Sequence, residues 1–276
     1  MEKENRKLNI GKLLNCRDLG GIKTKDGKVI KSNKLYRSDA LFKVSKEDIY
    51  NLKNKYNLKT IIDFRGEDEL SETTLDPIID GVSHVYLPLN PGVRNRGTRP
   101  HDVHCLIKDL DGMINFFFYL DEKGDVTNSM CKIYHEFVTS PLAIKNLKVF
   151  LDYIVDNEGL LIYHCSDGKD RTGVTTMLIL SILNVDLNDI INDYLLTNEN
   201  VKEKAKARRK LMEENGVNDQ IVLNSSDIIA GVKKRWLIST INEIENRYES
   251  IDNFITNILS LSKERQEEMR RKYLID

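Results

Sequence analysis

The sequence predicts an α/β fold, with a mostly parallel central sheet flanked by helices and a helical C-terminal cover or lid. Three observations carry that expectation. Apolar runs of strand length, at residues 60–64 and 160–163, alternate with stretches whose apolar residues recur at helical spacing. Alternation of strand, helix and strand places helices on the faces of a mostly parallel sheet, because parallel neighbours need a crossover between them. Beyond the second of these runs the pattern is helical to the end of the chain. All 276 residues are read as one domain, 1–276, with 198–237 as a possible lid.

In chain order, Asp26-Gly27 between Ile22 and Val29-Ile30 signals a hairpin turn that demands positive φ, so a small antiparallel excursion precedes the main sheet. Cys16 is read as a buried structural residue. Ser45-Lys46-Glu47-Asp48 supplies a serine cap and early acids; with Ile49, Leu52 and Tyr56 at helical spacing, a helix closes near Asn57. Residues 60–64 form a buried strand that ends in Arg65-Gly66-Glu67, and 82–88 form another. Ligands of such sheets bind beyond the carboxyl ends of the strands, where Asp63 and Arg65 would gather; polar residues that merely end a strand look the same. Amphipathic helices over 130–138 and 142–155 lead to the strand at 160. Another helix starts at 185–191 and is expected to end near Leu196-Thr197-Asn198, and helices over 238–248, 251–260 and 263–273 look like structural cover.

The most distinctive stretch is His164-Cys165-Ser166-Asp167-Gly168-Lys169-Asp170-Arg171-Thr172-Gly173, set between the strand and an apolar helix over 174–183. A cysteine and an arginine bracket five residues, so the backbone between them can curl into a ring of inward N–H groups beside a helix N-terminus. That cradle suits a tetrahedral dianion, with Ser166, Asp167, Gly168, Lys169, Asp170 and Arg171 as the phosphate-binding residues. Cys165 at its mouth is expected to be a thiolate nucleophile. The planar fork of Arg171 can grip two phosphoryl oxygens at once. Thr172 can offer its hydroxyl to the sulfur, and His164 is read as orienting the loop.

These residues resemble the signature of cysteine-dependent protein tyrosine phosphatases, and Gly168-Lys169-Asp170-Arg171 is similar to one bacterial branch, which contains tyrosine and phosphoinositide phosphatases of pathogens. Asn15-Cys16-Arg17-Asp18-Leu19-Gly20-Gly21-Ile22, Arg37-Ser38, and Asn242, Glu243, Arg247, Tyr248, Asp252 and Phe254 extend the resemblance over nearly the whole chain. It implies a cysteine-phosphatase fold and hydrolysis of phosphomonoesters through a cysteinyl phosphate, with no cofactor and no metal. It also implies a helical lid near the basic run after residue 200, and an Arg37 near the site, where the sequence alone reads a surface arginine. A general acid must protonate the leaving oxygen. No tryptophan-proline-aspartate loop lies upstream, the only tryptophan being Trp236, so Asp170 is the choice, with Asp109, Asp111, Asp121 or Asp125 as replacements.

The expected substrates are phosphotyrosine proteins, phosphoinositides or both. Lys169 would favour neighbouring phosphates, or its ammonium could pair with Asp63. A phytase-like inositol polyphosphate phosphatase, a non-catalytic phosphate-binding module and a sulfurtransferase are the alternatives. With 42 Lys and Arg against 43 Asp and Glu, net charge −1, nothing asks for nucleic acid as a partner. Lys202, Lys204, Lys206, Arg208, Arg209 and Lys210 could meet an anionic membrane surface, or form a solvated helix face. Cysteines at 16, 105, 131 and 165 do not suggest a stapled scaffold, and a reducing compartment fits them. A cytoplasmic location is expected, or a secreted one if a leader has been removed. Residues 90–128 read as an irregular insert. They carry Arg94, Arg96 and Arg99, a weak metal set at His101, His104 and Cys105, and an aromatic cluster at Phe116-Phe117-Phe118-Tyr119.

Overall fold

A computed structural model describes residues 6–89 and 126–276. The expectations for the insert, including its histidines, aromatic cluster and replacement acids, lie outside the described residues. The strands are β1 (Arg17–Asp18), β2 (Val29–Ile30), β3 (Leu35–Ser38), β4 (Leu58–Asp63), β5 (Ser83–Tyr86), β6 (Leu160–His164) and β7 (Leu274–Ile275). Five of them form the central sheet in the order β1-β3-β6-β4-β5. β3, β6, β4 and β5 are parallel, and β1 is antiparallel to β3.

Register sets the position of the site. Ser38 of β3, His164 of β6 and Asp63 of β4 stand level across the three central strands. Each of those strands stops there, so the segments that follow converge at one edge of the sheet. Along β6 the side chains alternate. Leu161 and Tyr163 pack into one apolar cluster with Phe64, Phe150 and Leu151, while Leu160 and Ile162 join Tyr36, Leu52 and Ile61 in another. A strand covered on both faces reads as a continuous apolar run, which is why β6 was conspicuous in the sequence.

The helices are α1 (Lys46–Asn54), α2 (Val126–Thr139), α3 (Pro141–Asp156), α4 (Asp170–Ile182), α5 (Leu187–Glu214), α6 (Gln220–Ala230), α7 (Lys234–Tyr248) and α8 (Lys263–Tyr273). A turn at Ile251–Asn253 runs into a π turn at Phe254–Ile258 before α8. The expected Ser45 cap is present: its hydroxyl accepts from the Asp48 amide while Asp48 accepts from the Ser45 amide. Ser140 caps α3 with Pro141 in the first turn, where a missing N–H costs nothing. The Asp26-Gly27 turn forms as expected, with Gly27 at φ +89° and antiparallel pairing of Lys23 with Val29. β2 also pairs with β7, tying the last residues of the chain to the first hairpin.

One boundary differs substantially. The helix expected to stop near Asn198 continues to Glu214, a span of 28 residues. No glycine or proline interrupts it, and Val201, Arg208 and Met212 keep a buried face going through the polar stretch. The second half of α5 and all of α6 therefore occupy the region expected as a possible lid. Its basic run is not uniformly solvated either, since Arg208 is buried and donates to the Ser226 carbonyl oxygen. No described helix is long and apolar enough to cross a membrane.

Candidate active site

The loop from Cys165 to Lys169 links the end of β6 to the start of α4. Gly168 gives it its curl. It sits at φ +63°, and a Cβ there would lie 2.4 Å from the Ser38 carbonyl oxygen, so only glycine fits against the end of β3. The Ser166 carbonyl accepts from the Ala40 amide at 3.2 Å. Asn15 donates to the carbonyl oxygens of Asp167 and Gly168 at 3.0 and 2.9 Å, and Arg37 donates to that of Gly168 at 3.0 Å. With those carbonyls drawn outward, the amides are left for the other side. No hydrogen bond among the described residues engages the backbone N–H groups of Ser166 to Asp170. α4 also begins without a side-chain cap, so its N-terminal end adds partial positive charge to the same spot.

Cys165 is only 2% exposed. It lies on the floor of the loop rather than at its mouth, because it directly follows a strand buried on both faces. The Thr172 hydroxyl donates to its Sγ at 3.2 Å. Arg171 projects from the first turn of α4 and is held by a residue that the sequence reading passed over. Glu69 receives Nη1 at 2.5 Å and Nη2 at 2.6 Å, and also accepts from the Ser166 hydroxyl at 2.7 Å and the Gly66 amide at 2.8 Å. Burial pushes the Glu69 carboxyl up, but Arg171 and these donors overcome it and hold the group down at about 2. A bidentate pair of this kind fixes the plane of the guanidinium as well as its position.

Beneath the loop, His164 is fully buried. Its Nε2 is 2.8 Å from Asp76, and its Nδ1 is 3.1 Å from the Cys165 carbonyl and 3.8 Å from Asp63. Burial alone would favour the neutral ring, yet Asp76 and Asp63 raise His164 to about 9, so it is a cation at neutral pH. Arg65 completes the network with bonds to Asp63 and Asp76. The ligand atoms of Asp63, Asp76 and His164 lie within 4.8 Å of one another, but both carboxylates are engaged by Arg65.

Two expectations are corrected by these positions. Arg37 is not a surface residue: it is wholly buried, with Nη1 2.7 Å from Asp193 on α5. Lys169 does not reach Asp63. Its ammonium donates to the carbonyl oxygens of Ile229 and Ala230 at 2.8 and 3.2 Å, neutralising the C-terminal end of α6, and lies 3.8 Å from Asp167. Asp167 in turn is ion-paired with Lys204 of α5; burial pushes its carboxyl up, but Lys204 and Lys169 overcome that and hold it well below the usual carboxylate range. Asp170, the first residue of α4, accepts from the Tyr134 hydroxyl at 2.5 Å. Glu69, Asp76, Tyr134 and Asp193 escaped the sequence reading because each meets the loop only through the fold. The single local signal was the acidic run Glu67-Asp68-Glu69 just after a strand end.

Comparison with known proteins agrees with this geometry. Residues 8–275 match the family model described as the tyrosine phosphatase family. A protein of Cupriavidus necator that carries a provisional name as a tyrosine-protein phosphatase is 24% identical over 249 residues, covering 90% of this chain and 82% of that protein. The triple specificity protein phosphatase PtpB of Mycobacterium tuberculosis is 22% identical over 255 residues, covering 87% of this chain and 90% of its own. With the match running almost from end to end, the chain belongs to the tyrosine phosphatase family.

Proposed function

We propose that this phosphatase is cysteine-dependent and hydrolyses phosphomonoesters in two steps, through a phosphoryl group carried on Cys165. The observation that supports it best is the convergence at one loop of a sulfur, an uncapped helix end and an arginine locked by a carboxylate. In the first step Cys165, as thiolate, attacks phosphorus in line, and the S–P bond forms as the ester P–O bond breaks. Backbone amides of residues 166–170 and the Arg171 guanidinium stabilise charge on the equatorial oxygens. The His164 cation below the Cys165 carbonyl adds a fixed positive charge on the side remote from the substrate. Asp170 gives its proton to the leaving oxygen. In the second step water displaces the sulfur from phosphorus, releasing inorganic phosphate, and the Thr172 hydroxyl stabilises the departing thiolate.

The substrate class we favour is phosphotyrosine together with phosphoinositides. Breadth of this kind is in keeping with a relative whose name is triple specificity phosphatase. Lys169 contributes less to such selection than its charge suggests, because it is engaged by α6. Parallel turnover assays on phosphotyrosine peptides, phosphoserine peptides, phosphoinositide vesicles and soluble inositol polyphosphates test the proposal. Turnover of the first and third, abolished by Cys165→Ser, is the expected result. Turnover of the inositol polyphosphates alone would replace it with a phytase-like activity, and binding without turnover would replace it with a phosphate-binding module.

A further inference from the structure

We infer that Tyr134, supported by Tyr194, is a positioning residue that holds Asp170 in the orientation from which it protonates the leaving group. The inference rests on Asp170 being the general acid and adds the means by which a residue at the open end of a helix is kept in place. Tyr134 comes from α2, is wholly buried, and donates its phenolic hydrogen to Asp170 Oδ1 at 2.5 Å. Its oxygen lies 2.7 Å from the hydroxyl of Tyr194 on α5. A tyrosine has one hydroxyl hydrogen. Because Tyr134 gives its own to the carboxylate, the hydrogen between the two phenols belongs to Tyr194, and the chain runs from Tyr194 to Tyr134 to Asp170.

The surroundings fix both rings. Tyr134 packs against Trp236 and Phe137, with ring centroids 5.8 and 5.5 Å apart. Tyr194 lies across Gly173 in the first turn of α4: a Cβ at that glycine would stand 2.8 Å from the ring, so its absence is what lets the hydroxyl reach Tyr134. The residue before it, Asp193, is anchored by Arg17 and Arg37. Burial and the nearby Asp170 push both phenols well above their ordinary value of 10.0, so neither gives up its proton during turnover. They orient the carboxyl group, leaving Oδ2 for the leaving-group oxygen.

The test compares kcat/KM, which covers steps up to phosphorylation of the thiol, across aryl phosphates of graded leaving-group pKa. Good leaving groups depart without a proton and poor ones do not. Tyr134→Phe keeps the ring packing and removes only the hydroxyl. It should lower kcat/KM on phenyl phosphate by at least about tenfold, within the contribution typical of a general acid, and change it by less than about twofold on dinitrophenyl phosphate. Tyr194→Phe should act in the same direction and less strongly, and Tyr134→Phe should add nothing further in an Asp170→Asn background. Equal losses on both substrates would assign Tyr134 a merely structural role and overturn the inference. So would an unchanged rate on phenyl phosphate while Asp170→Asn is impaired there. If Asp170→Asn itself keeps full turnover of phenyl phosphate, the assignment of the acid fails first, and this inference falls with it.

Discussion

The charges nearest the sulfur are set by partners distant in sequence. Glu69 and Arg171 meet across 102 positions, and Asp76 and His164 meet across 88, so neither pairing has a local signature, whereas the loop that needs them has a strong one. The sequence made Cys165, Arg171 and Thr172 legible because short-range spacing dictates their geometry. It could not reveal that Arg37 is buried or that Lys169 caps α6, since both depend on elements brought together only by folding. The two pairs make stability depend on pH from opposite sides. Glu69 is held at about 2 against an ordinary 4.5, so its contribution is complete above about pH 4.5 and is lost as pH falls toward 2. His164 is raised to about 9 from 6.5, so its contribution is complete below about pH 6.5 and is lost as pH rises through 9. Each is worth on the order of 3 kcal/mol when fully lost. Urea midpoints should therefore peak between these limits. Glu69→Gln should flatten the acid side of the profile, and His164→Gln the alkaline side; a profile in either variant as steep as the parent's would contradict the assignment.

Among the elements, α5 bears most directly on the site. Asp193 on its inner face takes Arg6, Arg17 and Arg37, the last of which also holds the Gly168 carbonyl. Those guanidinium groups hold Asp193 far below the usual carboxylate range despite its complete burial. One carboxylate thus fastens the helix to the first segment, to β3 and to the loop that follows β6. Asp193→Asn leaves buried cations without their anion, a change that typically costs about 3–5 kcal/mol. Denaturant titration should show a loss of that size, and a loss below about 1 kcal/mol would mean that the cluster is not what holds α5 in place. How far α5 extends was not legible in the sequence, because Thr197-Asn198-Glu199-Asn200 is polar enough to resemble a helix end. Only the return of buried residues at Val201 and Arg208 shows that the helix goes on.

At the scale of the molecule, the parallel sheet, both of its apolar faces and the helical second half were legible, because a periodicity repeated over many residues outweighs local ambiguity. What the whole fold achieves is a single edge of the sheet where β3, β4 and β6 end level, with Cys165 and its loop directly beyond the end of β6. Whether the sulfur at that edge carries the phosphoryl group is decided by rapid quenching in acid during turnover of an aryl phosphate, followed by mass spectrometry of the Cys165 peptide. This peptide should gain one phosphoryl group, and Cys165→Ser should neither gain it nor turn over. Sustained turnover by Cys165→Ser, or a phosphoryl group found on another residue while Cys165 stays unmodified, would contradict it.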